Sequence, residues 1–199
     1  VDQAPSLAPV TLSGTDIRLE PLSLDHVPAL ARAGLFPDLW RLQPAPLHKE
    51  ADMFAYVTAA LDEQQRGHSL PFAVVRQSDG EVIGSTRYMD IALPHRRLEI
   101  GASWLSPASQ RSGANTEAKL LLLSHAFETL QLIRVVFKTE VHNTQSRRAL
   151  ARIGAVEEGI FRQHLIAASG RRRDMVWFSI LEAEWPAVKS GLLERLRQT

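Results

Sequence analysis

The sequence predicts an α/β fold of α+β character: one mixed, twisted sheet of about seven strands with helices on both faces. Short alternating apolar runs recur along the chain. Two pairs of these runs are joined by tight glycine-containing turns, while others are separated by segments of helical period. Hairpins make antiparallel neighbours and helical crossovers make parallel ones, so the sheet is mixed and needs cover on both sides.

The elements follow in order. A first strand spans Ile17–Leu22, and Ser23 or Asp25 caps a short helix that stops at Gly34. Prolines 37, 44 and 46 break the chain before a helix over Ala51–Arg66, which sets Met53, Val57, Ala60, Leu61 and Gln64 on one side and ends at Gly67. Two β-rich runs flank Ser78-Asp79-Gly80, whose Asp-Gly pair tolerates the positive φ of a hairpin turn. Residues 97–105 alternate, with Leu98, Ile100, Ala102 and Trp104 facing one way and Glu99, Gly101 and Ser103 the other. Thr116–Leu130 is helical with a stripe of Leu120, Leu123, Phe127 and Leu130, and 133–140 returns to strand. A short helix capped by Asn143 buries Ala149, Leu150 and Ile153 and stops at Gly154. A second hairpin, 155–166 and 174–181, turns at Ser169-Gly170, and an amphipathic helix with Trp185, Val188 and Leu193 closes the chain. The economical division is an N-terminal extension (1–14), one domain (15–182) and a C-terminal helix packed on or extending it (183–199).

Composition narrows the function classes. The 199 residues are 45% hydrophobic and 23% charged with a net charge of +1, so no bulk excess argues for DNA or an anionic membrane. The absence of cysteine excludes disulfides, thiolate zinc sites and a cysteine nucleophile, and no metal is expected. The N-terminus lacks a signal-peptide pattern, and the longest aliphatic run, Leu120–Leu123, is too short to span a bilayer. A cytoplasmic location is the expectation.

The stretch 109–118, "SQRSGANTEA", joins an alternating strand to a helix. Such a junction aims free backbone N–H groups, with the positive end of the helix dipole, at whatever lies above it, which suits phosphate. Gly113 lets backbone approach closely, and Gln110 and Arg111 add side-chain donors. Neither a Walker loop nor a Rossmann fingerprint is present, so on the residues alone a simple turn stands beside the anion site.

The stretch "LEIGASWLSPASQRSGANTEAKLLLLSHAF" together with "NTQSRRALARIGAVEEG" resembles the GNAT acetyltransferase superfamily, and more closely its branch of ribosomal-protein N-terminal acetyltransferases. The likeness covers about residues 15–182. It rests on Trp104-Leu105-x-Pro107, Gln110-x-x-Gly113 and Asn143-x-x-Ser146 in order and spacing. The resemblance implies a splayed cleft in the sheet for acetyl-CoA as co-substrate. The backbone of Trp104 and Leu105 would pair with the pantetheine arm, and the loop Gln110, Arg111, Ser112, Gly113, Ala114 and Asn115 would cradle the pyrophosphate. Asn115 departs from the family's glycine or alanine and is expected to begin the helix instead.

The reaction so implied is direct attack of a primary amine, a peptide N-terminus or a small molecule, on the thioester. Asn143 would bond the pantetheine or a water, and Arg148 would reach toward a tail phosphate. Ser146 is the candidate to protonate the leaving thiolate; many relatives use a tyrosine near there, but this chain has only Tyr56 and Tyr88. Capping is the alternative role for Asn143 and Ser146. For the base, Glu99 acting through water competes with a surface carboxylate paired to Arg97, and His164 competes with a structural strand histidine. Leu165 stands where relatives carry a glutamate, so the base is open. The arginines of "SGRRRD" (169–174) read either as a solvated turn or as a contact for an acidic partner. Other readings are a non-catalytic acyl-CoA-binding module and an RNA- or ribosome-associated protein. Acceptor identity and oligomeric state stay open, a homodimer included.

Overall fold

The computed structural model describes residues 7–43 and 45–198; the first six residues of the N-terminal extension and Pro44 lie outside it. The chain runs β1 (Leu12–Ser13), β2 (Ile17–Pro21), α1 (Val27–Gly34), α2 (Pro37–Trp40), α3 (Glu50–Gln65), β3 (Leu70–Arg76), β4 (Val82–Ala92) and β5 (Arg97–Leu105). It continues through α4 (Ala114–Ser124), β6 (Arg134–Glu140), α5 (Thr144–Arg152), β7 (Val156–Ile166), β8 (Arg172–Leu181) and α6 (Trp185–Arg197). One eight-stranded sheet has the order β1-β2-β3-β4-β5-β6-β8-β7. The strand beyond the expected seven is β1, two residues long and paired to β2 from within the N-terminal extension. Among the described strands only β5 and β6 run parallel.

The two sheet faces bury separate cores, as a sheet apolar on both sides requires. One holds Leu98, Ile100, Tyr88, Leu122 and Phe137 with Trp185, Val188 and Leu192 of α6. The other packs α1 and α3, through Leu30, Met53 and Val57, against Ala73, Val75 and Trp104. Both expected hairpins form, with Gly80 at φ +74° and Gly170 at φ +80° supplying the left-handed turn residue.

Three details depart from the sequence pattern. Helix α4 widens into a π-turn over His125–Thr129; Leu123, Phe127 and Leu130 of the expected stripe are buried, but Leu120 is only half-buried and Ala118, Leu122 and Ala126 join the core. In α6 the core residue is Leu192, 1% exposed, and Leu193 faces solvent. The third lies in β5. Ser85 pairs with Trp104 but Arg87 with Gly101, so β5 carries one extra residue, and Ala102 adopts φ +48°. An extra residue inverts the inside–outside alternation beyond it. Trp104 therefore enters the α1/α3 core, opposite Leu98 and Ile100, and Ser103 turns toward α4 rather than sharing the face of Glu99.

Glu117 on α4 fastens the N-terminal turn. Its buried carboxylate accepts from the amides of Thr15 (2.5 Å), Asp16 (3.0 Å) and Ile17 (3.0 Å), satisfying three donors of the β1–β2 connection at once. Among the described residues no helix is long and apolar enough to cross a membrane, and no three histidine or carboxylate side chains gather as metal ligands would.

Candidate functional site

Strands β5 and β6 pair only over Arg97–Glu99 and Arg134–Val136. Beyond that point β5 follows β4 to Leu105 while β6 follows β8 to Glu140. The sheet splays there, and the rest of β5 presents an unpaired edge. Ser106 N–H donates to Ile83 O on the β4 side. By antiparallel alternation the Leu105 backbone then points to the open edge, and that of Trp104 points to β4. Of the pair nominated by the motif, only Leu105 offers its amide to the gap. The Trp104 indole is buried, donates to Tyr56 Oη at 3.3 Å and packs edge-on to Trp40.

The open edge leads into the loop. Ser106, Ser109 and Ser112 brace it: Ser106 Oγ donates to Ser109 Oγ at 3.0 Å, and Ser112 Oγ donates to Ser109 O at 2.7 Å. Gln110 Nε2 donates to Leu105 O at 3.2 Å, so this side chain holds the loop to the strand end. The positive φ falls on Arg111 (+60°), while Gly113 sits at φ −64° as the N-cap of α4. Gly113 thus serves no left-handed turn. Ala114 begins α4, and Asn115 lies in its first turn. Ala114 N–H reaches Ser112 Oγ at 3.3 Å, whereas the amides of Arg111, Ser112, Gly113, Asn115 and Thr116 donate to no acceptor among the described residues. Five unspent donors at a helix start fit an anion such as a pyrophosphate.

Across the gap, β6 ends near α5. Asn143 caps that helix, its Oδ1 accepting from Ser146 N–H at 3.0 Å. The cap uses the amide of Ser146 and leaves its hydroxyl without a partner among the described residues, while the Asn143 NH2 is still free to donate. Asn143→Ala should lower stability by about 1 kcal/mol, read as a fall in the urea midpoint; an unchanged midpoint would mean the cap is energetically silent. Arg148 is exposed with no ion-pair partner among the described residues, whereas Arg147 is engaged by Glu157 at 3.0 Å and by Val141 O. The two tyrosines are elsewhere: Tyr88 is buried and donates to Leu122 O at 2.6 Å, and Tyr56 lies on α3.

The α3 side of the splay collects the candidate bases. Glu99 is only 7% exposed, and its partner is Lys138 at 2.8 Å rather than Arg97, which pairs instead with Asp90. It is therefore not the surface carboxylate of the bland alternative. Burial pushes the Glu99 carboxyl above its ordinary value, against the opposing pull of the Lys138 ammonium. Gly101 makes room beside it, since a Cβ at 101 would lie 2.9 Å from Glu99 Oε1 and Met89 Sδ. His164 is exposed, stands edge-on to Trp177 at 4.7 Å, and is near enough to Glu99 to favour its ionised form. Lys138 lies 5.1 Å from the Trp177 ring centroid, so Glu99, Lys138, Trp177 and His164 form one row across the sheet.

Among the arginines of the last hairpin, Arg171 and Arg173 both grip the buried carboxylate of Glu140, and Arg173 also donates to Leu42 O at 2.7 Å. Arg172 bonds Gln163 at 2.9 Å. Arg171 and Arg173 thus clamp Glu140, while the turn carrying Arg171 and Arg172 stays exposed to solvent. One buried and one half-buried cationic side chain escaped the sequence reading. Lys119, 5% exposed on α4, donates to Ser103 Oγ at 3.0 Å, and Arg87 on β4 stacks 4.4 Å from the Tyr56 ring centroid. Their positions in sequence follow ordinary helix and strand patterns and carry no signal of their burial.

A family model described as an acetyltransferase (GNAT) domain matches residues 16–156. YdaF of Bacillus subtilis (strain 168), whose name places it among ribosomal N-acetyltransferases, is 35% identical over 111 residues, 56% of this chain and 60% of that protein. The chain thus spans less than two thirds of that relative. A solved GCN5-related N-acetyltransferase from Brucella melitensis gives a TM-score of 0.89 at 31% identity, over 98% of this chain and 90% of that one. RimJ of Mycobacterium smegmatis, solved in complex with CoA-disulfide, gives 0.79 at 25% identity over 94% and 95%.

Proposed function

The chain belongs to the GNAT acetyltransferase family, and from that premise we propose that it moves an acetyl group from acetyl-CoA to a primary amine by direct attack within a ternary complex. The observation that carries this reading is the unpaired β5 edge running into a loop of unspent amides. Direct attack needs no acyl-enzyme, which is consistent with a chain that has no cysteine nucleophile. The likeness to RimJ, solved with a CoA disulfide, supports the choice of co-substrate.

The thioester supplies an activated acetyl group; the residues of this chain bind, orient and move protons. Arg111, Ser112, Gly113 and Asn115 hold phosphate through their amides, and the Leu105 N–H at the open edge polarises the carbonyl as it gains negative charge. Asn143 donates its NH2 across the gap, and Arg148 adds an exposed cation. An alkylammonium must lose a proton before it attacks. Glu99, with its carboxyl raised by burial, takes that proton through water, and His164 is the second candidate on the same face. Ser146, whose hydroxyl the helix cap leaves free, protonates the leaving thiolate. The name of YdaF supports a protein N-terminus as acceptor. The arginine hairpin lends no support to an RNA-binding reading, because Glu140 engages Arg171 and Arg173.

Calorimetry with acetyl-CoA tests the binding step, and thiol release across peptide and amine panels separates an enzyme from a silent binder. Gly113→Val should weaken acetyl-CoA binding by about tenfold or more with the melting temperature retained. Undiminished binding by that variant would overturn the loop assignment. No binding by the native chain at high micromolar acetyl-CoA would overturn the function.

A further inference from the structure

Arg87 is a guanidinium without an anion. Its Nε is enclosed by protein and bonds no acceptor, and no carboxylate lies within ion-pair distance of it among the described residues. Its contact is the Tyr56 ring, 4.4 Å from the guanidinium carbon. A stacked guanidinium keeps its donor edge free and its plane fixed, a preorganised arrangement for a bidentate carboxylate.

The surroundings leave that charge uncompensated. Arg87 borders a cavity of about 310 Å3 between α3 and β4, which Glu63, His68, Met89 and Asp90 also line. Both carboxylates there are already engaged. Glu63 pairs with Arg66 at 3.2 Å and His68 at 3.3 Å, and Asp90 with Arg97 at 2.9 Å and Lys138 at 3.8 Å. Arg87 stands opposite Gly101 in the β4–β5 ladder, and Met89 stands opposite Glu99. Cross-strand partners share a face, so the free guanidinium lies two residue pairs along the ladder from the candidate base, on the same side of the sheet, which α3 covers.

We infer that Arg87 is the specificity residue of the acceptor pocket and selects an amine that also bears a carboxylate close to it. The inference rests on the transferase reading above and adds its substrate class. That carboxylate has two sources, an acidic side chain near the N-terminus of a peptide or the carboxyl group of a free amino acid. In either case it lies on Arg87 while the amine points toward Glu99. A purely cationic acceptor such as a diamine meets Arg87 as a like charge and is disfavoured.

The test compares peptides that differ only by Asp or Glu against Asn or Gln at the second and third positions, alongside a free amino acid and a diamine. For the native chain, thiol release should favour the acidic member of each pair by about tenfold in kcat/KM. Arg87→Met should bring that ratio to near unity through KM, with acetyl-CoA affinity and the kcat for neutral peptides kept. Arg87→Lys should retain part of the preference. A free amino acid preferred over acidic peptides assigns the carboxylate to the second source, and the reverse assigns it to the first. An acidic preference that survives Arg87→Met, or a native chain that prefers neutral peptides or the diamine, overturns the assignment. Direct calorimetry of the acidic and neutral peptides on the native chain and on Arg87→Lys reads the same preference without turnover. A protein that binds acidic peptides through Arg87 but releases no thiol would refute the transferase reading alone.

Discussion

Replacing Glu140 by alanine is expected to destabilise the protein by about 3–5 kcal/mol, because it strands a buried cation. The Glu140 side chain is 1% exposed and its partner Arg173 is 5% exposed, whereas Arg171 is 43% exposed and can recover water. With the carboxylate gone, the Arg173 guanidinium keeps, among the described residues, its bond to Leu42 O. The urea midpoint of Glu140→Ala should fall well below that of the native chain. A Glu140→Leu/Arg173→Met pair should recover most of the loss, since it leaves no buried charge behind. The hydrogen bond from Arg171, and then that from Arg173, holds the Glu140 carboxyl below its ordinary 4.5. A depressed folded pKa means that this stabilisation is complete above the unfolded value and is lost as pH falls through the folded one. The gap between native and variant should therefore shrink in acid. A single alanine variant as stable as the native chain at neutral pH would refute the clamp.

Lys119→Met is expected to act in the opposite direction, stabilising the protein by about 3 kcal/mol at pH 7. Burial brings the Lys119 ammonium down from 10.5 to about 8, and its recorded partner is the neutral Ser103 hydroxyl. Below pH 8 the ammonium is charged in both folded and unfolded chains, so the full cost of burying it is present. Between about 8 and 10.5 the folded chain has released the proton while the unfolded chain still binds it, so native stability rises with pH over that window. Methionine fills the same space without charge. The variant should be more stable at neutral pH and lack the rise between pH 8 and 10. A variant less stable at pH 7, or a native chain with flat stability across that window, would refute the reading. The lost Ser103 bond, worth about 1 kcal/mol, works against the gain and does not reverse it.

Legibility in the sequence followed the range of the interaction. Helix α5 was readable with its Asn143 cap, because a cap is a matter of three residues. The two hairpins were readable from Asp79-Gly80 and Ser169-Gly170, and the amide-rich loop from the glycine, serine and asparagine between a strand and a helix. The face of Trp104 was not readable, because strict alternation cannot foresee the extra residue at Ala102. For Glu99 the sequence offers only near neighbours such as Arg97 as ion-pair partners. The actual partner, Lys138, comes alongside only once β6 is laid beside β5.

From local periodicity and turn chemistry alone, the sequence determined the order of strands and helices, the mixed character of the sheet, and the place where a loop of free amides begins a helix. The tertiary structure alone decided which charges lost their water. Glu140 and Arg173 are thirty-three residues apart, and Lys119 and Ser103 sixteen. A side chain's solvation depends on what the fold brings over it, and no local pattern records that. The same holds for Arg87, an ordinary strand arginine in sequence and an unpaired cation beside the splayed strands once α3 packs across the sheet.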